Sequence, residues 1–253
     1  MLELNFVVDQ NYLLGNIIAS GIDPDVNQED LTALGKKLPP AYDASSRDRQ
    51  LLNPELADFY RSVTLNPLIL LDSSLENFPD KVQDLAWRLK NEEEFHRIIT
   101  QTHDYQRKIK EQWSSNLDTT LEMMQDITGL DFDDQFTVYV VHPSLNLALH
   151  MPEKRITYGY NEEFPNITII HLYHEIMHDK LPLTNTAHAV IELIDNELRV
   201  RMNGGQYPPF HGYDEHHHIM DYYLSEWKEY LASPRKNILE FVREITGEDA
   251  WFD

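Results

Sequence analysis

The chain contains no cysteine. That removes disulfides and every thiolate metal site, so a metal ion here must be held by His, Asp or Glu. It also suits a reducing compartment. Basic residues are scarce, with 21 Lys and Arg against 43 Asp and Glu and a net charge of −22. Such a surface repels phosphate backbones, which argues against nucleic acid as a partner. The simplest reading of the charge is a well-solvated surface; a preference for cationic substrates is the alternative. No apolar run approaches the roughly 18 residues needed to span a membrane. The first residues lack a basic stretch, and their apolar runs are broken by Asp9, Gln10 and Asn11, so they do not read as a signal peptide. The expectation is a cytoplasmic protein with no membrane partner. There is no internal repeat and no low-complexity tract.

The 253 residues are 42% hydrophobic and 11% aromatic, which predicts a globular chain able to bury a sizeable core. Residues 1–130 read as a mainly helical N-terminal region. Its stretch 20–50 is rich in Asp, Pro and Ser and reads as loop with one short helix. Helical spacing marks 54–63 and 80–90. From 92 to 128, apolar residues recur at three- and four-residue steps, among them Phe95, Ile98, Ile109, Trp113, Met124 and Ile127. That predicts one long helix or two in line, capped by Gly129. The pattern changes at about residue 131. Residues 136–141, 145–151 and 155–160 read as three short strands separated by Pro143 and Pro152, and predict a small antiparallel sheet. Helices follow from Pro165 to Pro182, over 185–203, from about 214 to 231, and over 235–246. The chain is therefore expected to be α+β and mainly helical, with regions 1–130 and 131–253.

Within the helix after the sheet stands His174-Glu175-Ile176-Met177-His178. Residues four apart on a helix lie on one face, so His174 and His178 can chelate one ion. Glu175 then sits where it can take a proton from a metal-bound water. The chain has 12 histidines, and residue frequencies give roughly a one in twenty chance of an accidental HExxH. A third ligand is therefore needed before the string means a catalytic site.

Two glutamates on the next helix compete for that place. Glu197 is in phase with Val190, Leu193, Ile194 and Val200, so it falls in the apolar stripe. Glu192 is in phase with His188, Asp195 and Asn196 on the polar side, and reads as solvated. A carboxylate on a buried stripe is costly unless paired or metal-bound, which makes Glu197 the predicted ligand. The alternative for Glu197 is a buried salt bridge to an arginine.

Eighteen residues separate His178 from Glu197, and Asn196 precedes it. This arrangement resembles the gluzincin zinc metallopeptidases, the thermolysin-like and zinc aminopeptidase groups, over about residues 135–230. The resemblance implies a zincin-like fold, His174, His178 and Glu197 as zinc ligands, and Glu175 as general base. It further implies hydrolysis of a peptide or protein substrate, with an edge strand at 145–150 or 155–160 pairing with extended substrate. The chain departs from the family at Asp179 and Lys180, where uncharged or apolar residues are usual. It departs again at Arg201, where thermolysin-like members carry the Asp that orients the first histidine. Asp179 or Asp195 is a candidate for that orienting role. A Gly-Ala-Met-Glu-Asn type exopeptidase motif is absent, so aminopeptidase action is not implied.

The stretch 207–218 offers groups to steady an oxyanion: Tyr207, His211, Tyr213 and His216, with His216 in phase with Met220, Tyr223 and Trp227. His171 reads as packing rather than as a ligand, and His216-His217-His218 as an incidental surface run. The leading expectation is thus a zinc-dependent peptidase. A zincin-like binding or regulatory protein without turnover is one alternative, motivated by Asp179, Lys180 and Arg201. A helical interaction protein with a fortuitous HExxH is the other, and it predicts that Glu197 lies away from both histidines.

Overall fold

The chain opens on a strand, β1 (Glu3–Val7), and Asp9 then starts the first helix, α1 (Gln10–Ala19), by accepting a hydrogen bond from the Tyr12 N–H at 2.8 Å. Such side-chain capping satisfies a backbone donor that the first turn leaves without a partner. The computed structural model describes residues 2–19, 33–34, 54–65, 69–72, 77–205 and 212–246. Most of the predicted loop 20–50 lies outside them. The chain divides into two compact units, each discontinuous in sequence.

One unit comprises residues 5–108 and 137–161. It holds α1, α2 (Pro54–Leu65), the single turn α3 (Ile69–Asp72), α4 (Asp80–Lys90) and the beginning of α5 (Glu93–Thr128). Its core is built from Tyr12, Leu13, Ile17, Leu56, Phe59, Val82, Leu85, Leu89, Phe95 and Ile98, all buried. The helical spacing read over 54–63, 80–90 and 92–128 corresponds to α2, α4 and α5, the last being one helix.

Three further strands, β2 (Gln135–Val140), β3 (Leu147–Met151) and β4 (Arg155–Gly159), join β1 in a four-stranded sheet of order β1-β2-β4-β3. The sheet is mixed, where the sequence predicted an antiparallel one. β2 and β4 are parallel, with Val138 opposite Ile156, while β3 and β4 are antiparallel, with Leu149 opposite Thr157. The connection between β2 and β3 explains this. A 3-10 turn at Pro143–Leu145, followed by Asn146 in the left-handed region, carries the chain past the place beside β2. β3 then forms the outer edge and β4 returns between the two. β1 adds a strand where the sequence reading had only a mainly helical region; its five residues alternate polar with apolar from Glu3 to Phe6.

The other unit comprises residues 1–4, 109–136 and 162–253. It holds the later part of α5, then α6 (Ile167–His178), α7 (Asn185–Asn203), α8 (Asp214–Tyr222), α9 (Leu224–Ala232) and α10 (Ile238–Thr246). α6 opens with Ile-Thr-Ile-Ile, residues of modest helix propensity. Burial stabilises it instead: Ile167, Ile169, Ile170, Leu172, Tyr173, Ile176 and Met177 are all inside. The Tyr173 ring packs against Trp113 at 5.2 Å and Phe132 at 6.0 Å between centroids. α7 starts at Thr184, whose hydroxyl accepts from the Ala187 N–H at 3.2 Å, and it packs on α6 and α8.

The single helix predicted over 214–231 is two, interrupted at Tyr223. There the backbone departs from helical geometry, with φ of −95° and ψ of 9°, and the Tyr223 hydroxyl donates to the Ile245 carbonyl at 3.3 Å. α5 ends at Gly129, which has φ of +70°, and a Cβ there would lie 1.9 Å from the Lys236 carbonyl oxygen. Only glycine fits that approach. Among the described residues, no helix is long and apolar enough to cross a membrane.

Candidate metal centre

Two helices supply most of the site. On α6, His174 and His178 are one turn apart, and the Nε2 atoms of the two rings face each other at 3.1 Å. On α7, His188, Glu192 and Asp195 stand at steps of four and three and so form one stripe. That stripe, the polar side of the sequence reading, is directed at the two histidines of α6. The His188 ring lies 5.1 Å from that of His174 and 4.8 Å from that of His178, centroid to centroid. Ligand atoms of His174, His178 and His188 all fall within 4.8 Å of one another, as do those of His188, Glu192 and His216.

Asp195 fixes the first histidine. Its Oδ2 accepts from His174 Nδ1 at 2.6 Å, which turns Nε2 toward His178. Burial opposes charge on His174, but the Asp195 carboxylate outweighs it, with smaller contributions from Glu175 and Glu192, and raises its pKa to about 9. In the absence of a metal this favours a proton between the two Nε2 atoms, which an ion held there would displace. His188 is pushed the other way, to about 4, by burial and by the neighbouring His174 and His216. It is thus a neutral imidazole, the form that ligates metal.

Neither glutamate has the role expected of it. Glu192, expected to be solvated, is 1% exposed. Its Oε1 accepts from the Tyr213 N–H at 2.9 Å and from His216 Nδ1 at 3.0 Å. Glu197, the predicted ligand, belongs to neither metal-competent group. Its Oε1 accepts from Arg201 Nε at 2.7 Å, and Arg201 also donates to Asp126 Oδ2 at 2.7 Å. Lys236 completes the network on Asp126 Oδ1 at 3.2 Å. The arginine four residues on, absent from the resembled pattern, is what engages this carboxylate. Apolar phase placed Glu197 in the buried stripe; it is partly enclosed, and the salt bridge to an arginine, the alternative reading, is the contact it makes.

The remaining predicted residues fall as follows. Glu175 is buried beside His174 on α6. His216 is buried on α8, its ring 4.6 Å from that of His188. Tyr213 is 60% exposed just before α8, with its ring 5.6 Å from that of His188. Its hydroxyl pKa is raised by partial burial and by the charges of Glu175, Glu192 and Glu215. His211 and Tyr207 lie outside the described residues. Lys180, one of the departures from the family pattern, pairs with Asp134 and reaches Asp179 at 3.4 Å. The "DK" pair thus anchors the end of α6 rather than entering the site.

No known protein family, curated protein or solved structure matches this chain.

The fit of a metal to the site is therefore judged on the donors themselves. Glu192 Oε2 and His188 Nε2 are buried and have no hydrogen-bond partner among the described residues. Leaving a buried polar atom unpartnered costs about 1–3 kcal/mol, a penalty that ligation removes. Imidazole nitrogens with carboxylate oxygens, and no sulfur, form a donor set that zinc accepts in tetrahedral sites. The residues present fit such an ion. The stripe His188, Glu192 and Asp195 was visible in the sequence as a polar line on the helix after HExxH. Its link to the motif was the signal that went unused.

Proposed function

We propose that the chain is a zinc-dependent hydrolase acting on peptide bonds, with His174, His178 and His188 holding the ion and Glu175 as the proton acceptor. The observation that carries this reading is the convergence of the three imidazoles with Asp195 behind the first of them. Zinc bound there would supply a Lewis acid and a water of lowered pKa.

The chain's own residues do the remaining work. Asp195 accepts from His174 Nδ1 and so presents Nε2 as the ligating nitrogen. Glu175, next to His174 and buried, is placed to accept a proton from the attacking water and return it to the departing amine. Tyr213 is a protonated phenol at neutral pH, as any tyrosine is, and partial burial with the charges of Glu175, Glu192 and Glu215 disfavours its ionisation further. It is therefore a hydrogen-bond donor for a developing oxyanion, and its exposure leaves it accessible to substrate. Glu192 and His216 hold each other and the Tyr213 backbone in place.

The test is cleavage of a peptide library by the zinc-loaded full chain. Turnover that disappears in Glu175→Gln, with zinc content retained, supports the reading. Full zinc occupancy with no cleavage of any peptide overturns the hydrolase and leaves a zinc-binding protein.

A further inference from the structure

We propose that the centre takes a second divalent cation, held by Glu192 and His216 with His188 bridging as an imidazolate, one ring nitrogen to each ion and its N–H proton released to solvent, beside the position formed by His174 and His178. This rests on the reading of the first position given above. The ligand atoms of His188, Glu192 and His216 lie within 4.8 Å of one another. Donors about 2 Å from one tetrahedral ion stand roughly 3.4 Å apart, so these three need only draw in by about an ångström or less to surround one.

Glu192 supplies the independent observation. Its side chain is 2% exposed, yet only one of its oxygens is satisfied. Oε1 takes both hydrogen bonds, from the Tyr213 N–H and His216 Nδ1, while Oε2 has none among the described residues. Its ion-pair partners are His216 at 3.0 Å and His188 at 3.7 Å, both histidines. A buried carboxylate flanked by imidazoles is the arrangement a cation stabilises most. The loop backbone is fitted closely to it. Gly212, at φ of +145°, stands where a Cβ would come within 2.5 Å of the Glu192 Cδ and Oε2, so glycine alone allows that approach.

Charge points the same way. Glu175, Glu192 and Asp195 are three buried carboxylates around the four site histidines. One divalent cation offsets two of the three negative charges, whereas two offset all of them. His188 stands between the two positions, its ring 4.8–5.1 Å from the rings of His178 and His174 and 4.6 Å from that of His216. Two imidazoles and a carboxylate suit zinc and neighbouring first-row divalent ions rather than calcium or magnesium.

The experiment is zinc stoichiometry on the tag-free full chain, stripped with chelator, reloaded and freed of excess metal, with circular dichroism to confirm folding. Two zinc ions per chain are expected, falling to one in Glu192→Gln and in His216→Ala. The double variant His217→Ala, His218→Ala should still hold two, and a fall to one there assigns the second ion to the surface and overturns the proposal. One zinc in the wild type that persists in Glu192→Gln overturns the second position and leaves the first standing. One zinc that is lost in Glu192→Gln shows a single ion shared by all the ligands, which also overturns it. No zinc in the wild type removes both positions. Should Glu192→Gln fail to fold, His216→Ala and the wild-type count still decide.

Discussion

The Asp195 carboxylate on α7 lies 2.6 Å from His174 Nδ1 on α6. That bond does two things: it joins the two helices of the site, and it chooses which nitrogen of His174 faces inward. A group that orients a metal-ligating histidine in this way typically contributes about ten- to a hundredfold in metal affinity. Asp195→Asn is expected to weaken zinc binding by about that factor, measured by competition with a chromophoric chelator. Unchanged affinity would mean that His174 is oriented by something else.

Glu175 carries a different kind of prediction because it is not proposed as a ligand. Glu175→Gln keeps the shape and removes the base. Zinc content should be unchanged, while turnover falls by about a hundredfold to ten-thousandfold. The check is peptide cleavage measured beside metal content on the same preparation. Loss of zinc in this variant would make Glu175 a ligand rather than a base.

Glu197 tests the correction to the sequence reading. Its partner is Arg201 at 2.7 Å, in a network with Asp126 and Lys236. Both side chains are partly enclosed, with 14% exposure for Glu197 and 26% for Arg201. Glu197→Ala should therefore leave zinc content intact and cost about 1 kcal/mol of stability, read from denaturant midpoints. A variant that loses zinc would restore Glu197 as a ligand.

Much of this was legible before the structure. The helices α2, α4, α5 and α7 followed from apolar spacing, because each buries a continuous stripe. The strands β2, β3 and β4 were found to within two residues, but their pairing was not. Register depends on where the Pro143–Leu145 turn sends the chain, and local pattern does not encode that. The HExxH string gave His174 and His178. Phase placed Glu192 on the polar side of α7, and polar was equated with solvated. Here the polar side faces other polar groups, so burial and polarity coincide. Glu197 misled for the converse reason: Arg201 reaches along its own helix to the enclosed carboxylate. His216 was correctly placed inward by its phase with Met220 and Trp227, and all three are buried.

A pH dependence follows from Asp126. Hydrogen bonds from Arg201 and Lys236 hold its pKa below the ordinary carboxylate value. A carboxylate lowered in the folded state contributes stability above its unfolded pKa and loses it as pH falls through the folded one. Asp126→Asn should accordingly lower stability by a constant small amount near neutral pH, about a few tenths of a kcal/mol because Asp126 is 59% exposed. The difference from wild type should start to shrink only below about pH 4 and go on shrinking as pH falls through the lowered folded value. Thermal melts of both proteins across pH 2–7 would show it, and a difference that does not shrink at the acid end contradicts the network.

The central claim, that His174, His178 and His188 hold one ion, is tested most directly by crystallography of the zinc-loaded chain at the zinc absorption edge. The account predicts an anomalous peak with a nitrogen of each of the three rings at about 2.0–2.1 Å. A peak beside Glu197 or at His217 and His218, with none among the three imidazoles, would contradict it.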